Sequence, residues 1–98
     1  MNVQHRLQEI HFEWDSRKAI SNFLKHGVAF EEGCEVFFDP FLWVGEDELI
    51  DDELRETAIG MTTNWHLLYV AYTLRNDIIR LISVRPVTRA ERIRYENQ

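Results

Sequence analysis

RETAIGMTTNWHLLYVAYTLRNDIIRLISVRPVTRAER, residues 55–92, decides the fold. Three β-rich runs, Arg55–Met61, His66–Thr73 and Ile78–Arg85, are separated by Thr62-Thr63-Asn64 and by Arg75-Asn76-Asp77. Such short connections leave no room for a crossover, so consecutive strands must run antiparallel, and Asn76 tolerates the positive φ of a tight hairpin. Pro86 ends the third strand. Thr88 then offers its hydroxyl as a helix N-cap, and Glu91 three residues later completes a capping box.

Outward from this meander, Ile10, Phe12 and Trp14 alternate with His11 and Glu13, the pattern of a short strand with one buried face. Asp15 or Ser16 caps the helix that follows. Ile20, Phe23 and Leu24 fall at helical spacing, Lys25 and His26 occupy the last turn, and Gly27 supplies a left-handed C-terminal residue. A second helix is expected over Phe30 to Phe38, stopped by Pro40, with Gly33 costing it about 1 kcal/mol relative to Ala. Phe41 to Val44 reads as a strand and Gly45 to Asp52 as an acidic loop. The expected architecture is α+β: a short N-terminal strand, two helices, an antiparallel meander and a C-terminal helix.

The 98 residues, 45% of them hydrophobic, suffice for one packed domain spanning 1–98. No run approaches the roughly 18 apolar residues of a membrane-spanning helix, and Met1 to Glu9 has no secretory core, so a soluble cytoplasmic protein is expected. The lone Cys34 excludes an internal disulfide and reads as a buried structural thiol.

The formal charge of −6 conceals a polarity. Glu31 to Glu56 holds eleven acids against Arg55 alone, whereas Arg75 to Arg94 holds six arginines against Asp77 and Glu91. The arginine-rich end is the candidate working surface, able to attract phosphate locally. No Cys/His cluster has metal-ligand spacing and no glycine-rich phosphate loop appears, so neither a metal nor a cofactor is expected. Arg, Lys, Glu and Tyr side chains suffice for RNA cleavage, because RNA brings its own 2′-hydroxyl nucleophile. Arg85 projects from the end of its strand. Arg80, five residues earlier, is expected on the opposite face by alternation. Arg89 and Arg92 share a helical face and could bind phosphate or pair with Glu96, while Arg55 reads as a transition-state clamp or a surface ion pair. Lys25 and His26 fit the helix dipole without any function. Glu53 and Tyr95 are the candidate proton-transfer groups, and Trp14, Trp43 and Trp65 read as core or interface anchors.

The ordered matches Phe12-Glu13-Trp14-Asp15, Lys18-Ala19, Asn22, Lys25-His26-Gly27-Val28, Phe30-Glu31-Glu32, Val36-Phe37 and Asp39-Pro40 resemble the opening signature of BrnT-type toxins. Glu53-x-Arg55, Ile59-Gly60, Tyr72-Thr73-x-Arg75, Ile82-Ser83-x-Arg85, Thr88-Arg89-x-Glu91-Arg92 and Tyr95-Glu96 resemble the remainder. The resemblance implies a RelE-like fold, a growth-inhibiting ribonuclease, and neutralisation by a BrnA-type antitoxin. The assembly, a dimer or heterotetramer, would reach operator DNA only through the antitoxin. On this reading Arg55 and Arg85 stabilise phosphate charge, Lys25 assists, and Glu53 or Tyr95 moves a proton, with Arg75, Arg80, Arg89 and Arg92 contacting RNA. Leu49-Ile50 stands where the family usually carries His-Ser, and Pro86 where a basic residue is usual. These departures keep open a second reading, a degenerate toxin that binds an antitoxin-like partner without catalysis.

Overall fold

The computed structural model describes all residues 1–98. Its order is β1 (Asn2–Leu7), β2 (Ile10–Asp15), α1 (Ser16–His26), α2 (Phe30–Cys34), β3 (Trp43–Val44), β4 (Glu48–Ile50), β5 (Glu53–Met61), β6 (Leu67–Arg75), β7 (Ile78–Pro86) and α3 (Arg89–Glu96). The seven strands form one sheet ordered β1-β2-β7-β6-β5-β3, with β4 also paired to β5. The β5-β6-β7 meander is antiparallel, as expected. The sheet as a whole is mixed, because β2 runs parallel to β7 at Phe12 opposite Ile79 and Glu13 opposite Arg80.

Two strands went unread in the sequence. β1 lies where no clear apolar alternation exists, and pairing with β2 creates it. β4 arises inside the acidic loop, paired antiparallel with Glu53–Arg55. Three two-residue hairpins use non-glycine residues at positive φ: Gln8-Glu9, Asp51-Asp52 and Asn76-Asp77. Such turns match the twist of the strands they join. The expected helix over Phe30–Phe38 is α-helical only to Cys34 and then tightens into a 3-10 turn, Glu35–Phe38.

Phe12, Trp14, Phe30, Cys34, Val36, Ala58, Leu68, Val70, Leu81 and Val84 form the core between one sheet face and the two first helices. Gly33 permits that approach, since a Cβ there would sit 2.6 Å from Val84 Cγ2. The helix-weakening glycine is therefore a packing requirement. Caps follow the sequence: the Asp15 carboxylate accepts from Arg17 N–H, Gly27 is left-handed at φ 71°, and Thr88 with Glu91 closes the capping box.

Beyond Arg80, β7 has no strand on its β2 side, and α1 fills the gap. Buried Asn22 donates from Nδ2 to the Val84 carbonyl at 2.7 Å and accepts from the Val84 N–H at 3.1 Å. One amide side chain thus satisfies the strand edge, whose unpaired polar groups would otherwise be buried at a cost of about 1–3 kcal/mol each.

Candidate functional site

The sheet face opposite the core carries the arginines, and a β-bulge assembles it. Tyr69 lies opposite Arg85 and Ala71 opposite Ser83, but Tyr72 lies opposite Leu81, so Ile82 is the extra residue. Thr73 is consequently opposite Arg80. Tyr69 and Thr73 are four apart and share a face, so Arg80 and Arg85 do too. Simple alternation put them on opposite faces, and the extra residue reverses that expectation. Arg55 and Thr57 from β5 and Arg75 from β6 complete the surface by the period-2 rule.

Most of these cations already have partners. Arg85 donates to both Glu91 carboxylate oxygens at 2.7 and 2.8 Å, and its guanidinium lies 4.2 Å from the Tyr69 ring centre. Glu91 raises the Arg85 pKa against the opposing effect of burial, and Arg85 in turn holds the Glu91 carboxyl below the usual range. The pair ties α3 to the sheet. Arg75 grips both oxygens of Glu53 at 2.9 Å, which lowers the Glu53 pKa and makes its carboxylate a weaker base. Arg80 donates to Glu13 and to Asn2 Oδ1, each at 2.8 Å, binding β7 to β1 and β2.

Tyr95 is similarly engaged. Its hydroxyl donates to Asp39 Oδ2, and burial together with that carboxylate pushes the phenol up to about 12. Burial opposes ionisation of Asp39, yet hydrogen bonds from Tyr95 and from the Met61 and Phe41 N–H groups outweigh it and lower its pKa. Tyr95 is therefore a clasp between α3 and the chain before β3, and a poor proton acceptor.

Arg55 differs. It makes no ion pair, and its Nε is buried without a hydrogen-bond partner. An unsatisfied donor of this kind costs about 1–3 kcal/mol until something accepts from it. Leu49 and Ile50 lie alongside on β4, opposite Leu54 and Glu53, with Leu49 68% exposed. Arg89 is exposed, and Arg92 reaches only a 4.0 Å contact with exposed Glu96. Lys25 is exposed on α1 and borders a shallow depression with Lys18 and Ser83, beside the open edge of β7. The structure thus gathers Arg55, Arg75, Arg80, Arg85 and Glu53 on one face, while Lys25, Arg89, Arg92 and Tyr95 lie around its margins. Sequence reasoning missed Asn22, Glu13 and Asp39 as the groups that organise this face, since their partners are distant along the chain.

The family model described as "Ribonuclease toxin, BrnT, of type II toxin-antitoxin system" matches residues 14–91. The crystal structure of the Brucella abortus ribonuclease toxin BrnT is similar, with a TM-score of 0.52 at 21% identity, covering 78% of this chain and 94% of that one. That likeness shows the α+β fold, three helices with a mixed, mostly antiparallel sheet. No curated protein matches the sequence.

Proposed function

Because this chain belongs to the BrnT family of type II toxin–antitoxin ribonuclease toxins, we propose that it cleaves RNA without a metal ion, inhibits translation and growth, and is neutralised by a BrnA-like antitoxin. The observation that carries this reading is the unpartnered Arg55 on an open face otherwise built from paired charges. A phosphate oxygen can accept from the terminal N–H groups of that guanidinium, which no carboxylate holds, and such a charge-assisted hydrogen bond is worth about 1.5–3 kcal/mol. The ion-paired Arg75, Arg80 and Arg85 keep the face rigid, and Arg55 supplies its uncompensated positive charge where an RNA backbone would lie. Arg89 and Arg92 extend it along α3, and Lys25 borders it across the β7 edge. Operator DNA would be reached through the antitoxin, in a dimeric or heterotetrameric assembly.

Purified protein incubated with total RNA in EDTA, beside Arg55→Ala, tests the reading. Wild type is expected to produce new RNA ends, and R55A to cleave about 10- to 100-fold more slowly, the rate equivalent of the lost contact. Equal cleavage by both would remove Arg55 from the mechanism, and no cleavage by wild type would remove the ribonuclease reading.

A second reading has its own support. Arg85, Glu53 and Tyr95 are each consumed by an internal partner, and Leu49, paired with Leu54 across β4 and β5, is exposed. On that reading the face receives an acidic segment of an antitoxin-like protein and performs no chemistry. Retained antitoxin binding with no RNA cleavage, with or without ribosomes, would favour it.

A further inference from the structure

Metal-free cleavage needs a group that accepts a proton near neutral pH, and the arginine face lacks a good one. Glu53 is held ionised by Arg75, and the Tyr95 hydroxyl keeps its proton while donating a hydrogen bond to Asp39. Imidazole is the side chain that ordinarily changes protonation between about pH 5 and 8. Two imidazoles, His26 and His66, line one cleft of about 370 Å³ between the end of α1, α2, the β5–β6 turn and α3.

The geometry there is specific. His66 donates from Nδ1 to Glu32, at 2.8 Å to Oε2 and 3.1 Å to Oε1, which selects the tautomer that leaves Nε2 as a proton acceptor. The ring is 60% exposed, so a substrate can reach it. Arg92 from α3 and Trp65 line the same cleft. Trp65 is 82% exposed and held at φ 64°, an uncommon backbone state for a bulky residue. An exposed indole beside a cation is a platform on which a base can stack. The turn does not need the imidazole to hold it. Glu35 accepts from Thr63 N–H at 2.9 Å and from its hydroxyl at 2.7 Å, and Thr62 Oγ1 accepts from His66 N–H at 3.1 Å.

We propose that this cleft is a nucleotide subsite and the place of proton transfer, taking one ribonucleotide and its 3′-phosphodiester. The proposal rests on the ribonuclease reading above and adds a second location, apart from the Arg55 face, where the chain is cut. Trp65 stacks the base and Arg92 faces the non-bridging phosphate oxygens. His66 Nε2 removes the 2′-hydroxyl proton as that oxygen attacks the adjacent phosphorus. The P–O2′ bond forms, the P–O5′ bond breaks, and the leaving 5′-oxygen takes a proton from His26 in its charged form. The products are a 2′,3′-cyclic phosphate and a 5′-hydroxyl. Glu32 is a positioning residue, acting through His66.

The test compares wild type, His66→Ala, Glu32→Gln and Arg55→Ala on a labelled RNA oligonucleotide in EDTA. Binding is read separately with a 2′-O-methyl copy that cannot be cut. H66A should cleave at least about 100-fold more slowly, in line with the usual worth of a general base, with its Kd for the uncleavable copy changed less than about threefold. R55A should weaken that Kd instead. E32Q should be less impaired than H66A and should lose kcat alone, its KM and its Kd for the uncleavable copy staying within about threefold of wild type, because Glu32 orients the His66 ring and touches no RNA. Cleavage by H66A at the wild-type rate and pH profile would overturn the cleft and leave the ribonuclease reading standing. Were wild type itself inert, the ribonuclease reading would fall first, and NMR titration with uridine 3′-monophosphate would judge the subsite. Shifts at Trp65 Nε1–H and the His66 ring that vanish in Arg92→Ala support it, and their absence overturns it.

Discussion

Glu91 makes the sharpest stability test because three hydrogen bonds meet on one buried carboxylate. It accepts two guanidinium hydrogen bonds from Arg85 and one from Thr88 N–H, and its own N–H closes the capping box with the Thr88 hydroxyl. Glu91→Ala strips the half-buried Arg85 of its counter-charge and removes one side of the cap. Breaking a buried pair by deleting one partner costs about 3–5 kcal/mol, and a cap is worth about 1 kcal/mol. Arg85 keeps some solvent contact, its side chain being 29% exposed, so a total of about 3 kcal/mol is expected. For a domain of this size that corresponds to a fall in Tm on the order of 12–24 °C. Urea unfolding of wild type and E91A between pH 7 and pH 3 measures it. Because Arg85 holds the Glu91 carboxyl below its ordinary pKa, the contribution is complete above the normal glutamate range and is lost as pH falls through the depressed folded-state value. The difference between the two proteins should therefore shrink in acid. Replacing both partners, Arg85→Met with Glu91→Leu, should recover much of the loss, since no charge is then left unpaired. A deficit under about 1 kcal/mol at pH 7, or one that persists unchanged in acid, would refute this account.

Asn22→Leu keeps the side-chain size but leaves the Val84 N–H and C=O unpaired at the β7 edge, and should destabilise by about 2–5 kcal/mol in thermal or urea melts; a loss below 1 kcal/mol would show that water replaces the amide. Cys34 is buried and its thiol is pushed up to about 12, by burial first and then by Glu31, so it should resist iodoacetamide at pH 8 until urea unfolds the chain. Alkylation of the native protein at the rate of the unfolded one would place the thiol at the surface.

Much of the fold was legible because its signals are local. The strand alternation of Phe12 and Trp14, the Lys25-His26-Gly27 helix end, Asn76 in its turn and the Thr88/Glu91 box each act within a few residues, and each holds in the structure. The β1 and β4 strands were not legible, since each is made a strand by its partner and carries little apolar pattern of its own. The membership of the chain in the BrnT family was likewise readable from ordered short matches.

The arginine face shows the other limit. Its residue types are plain in the sequence, but which arginines remain available is decided by contacts across the fold: Arg80 to Asn2 over 78 positions, Arg75 to Glu53 over 22. His66 and Glu32, 34 positions apart, meet only because the β5–β6 turn folds back against α2. The sequence by itself determined the local elements, the single core and the family, because capping, turn chemistry and side-chain alternation operate through neighbouring backbone groups. The tertiary structure alone decided the Ile82 bulge that puts Arg80 and Arg85 on one face, the isolation of Arg55, and the two-histidine cleft. Each depends on strand register and on long-range pairing of charges, which residue spacing does not encode.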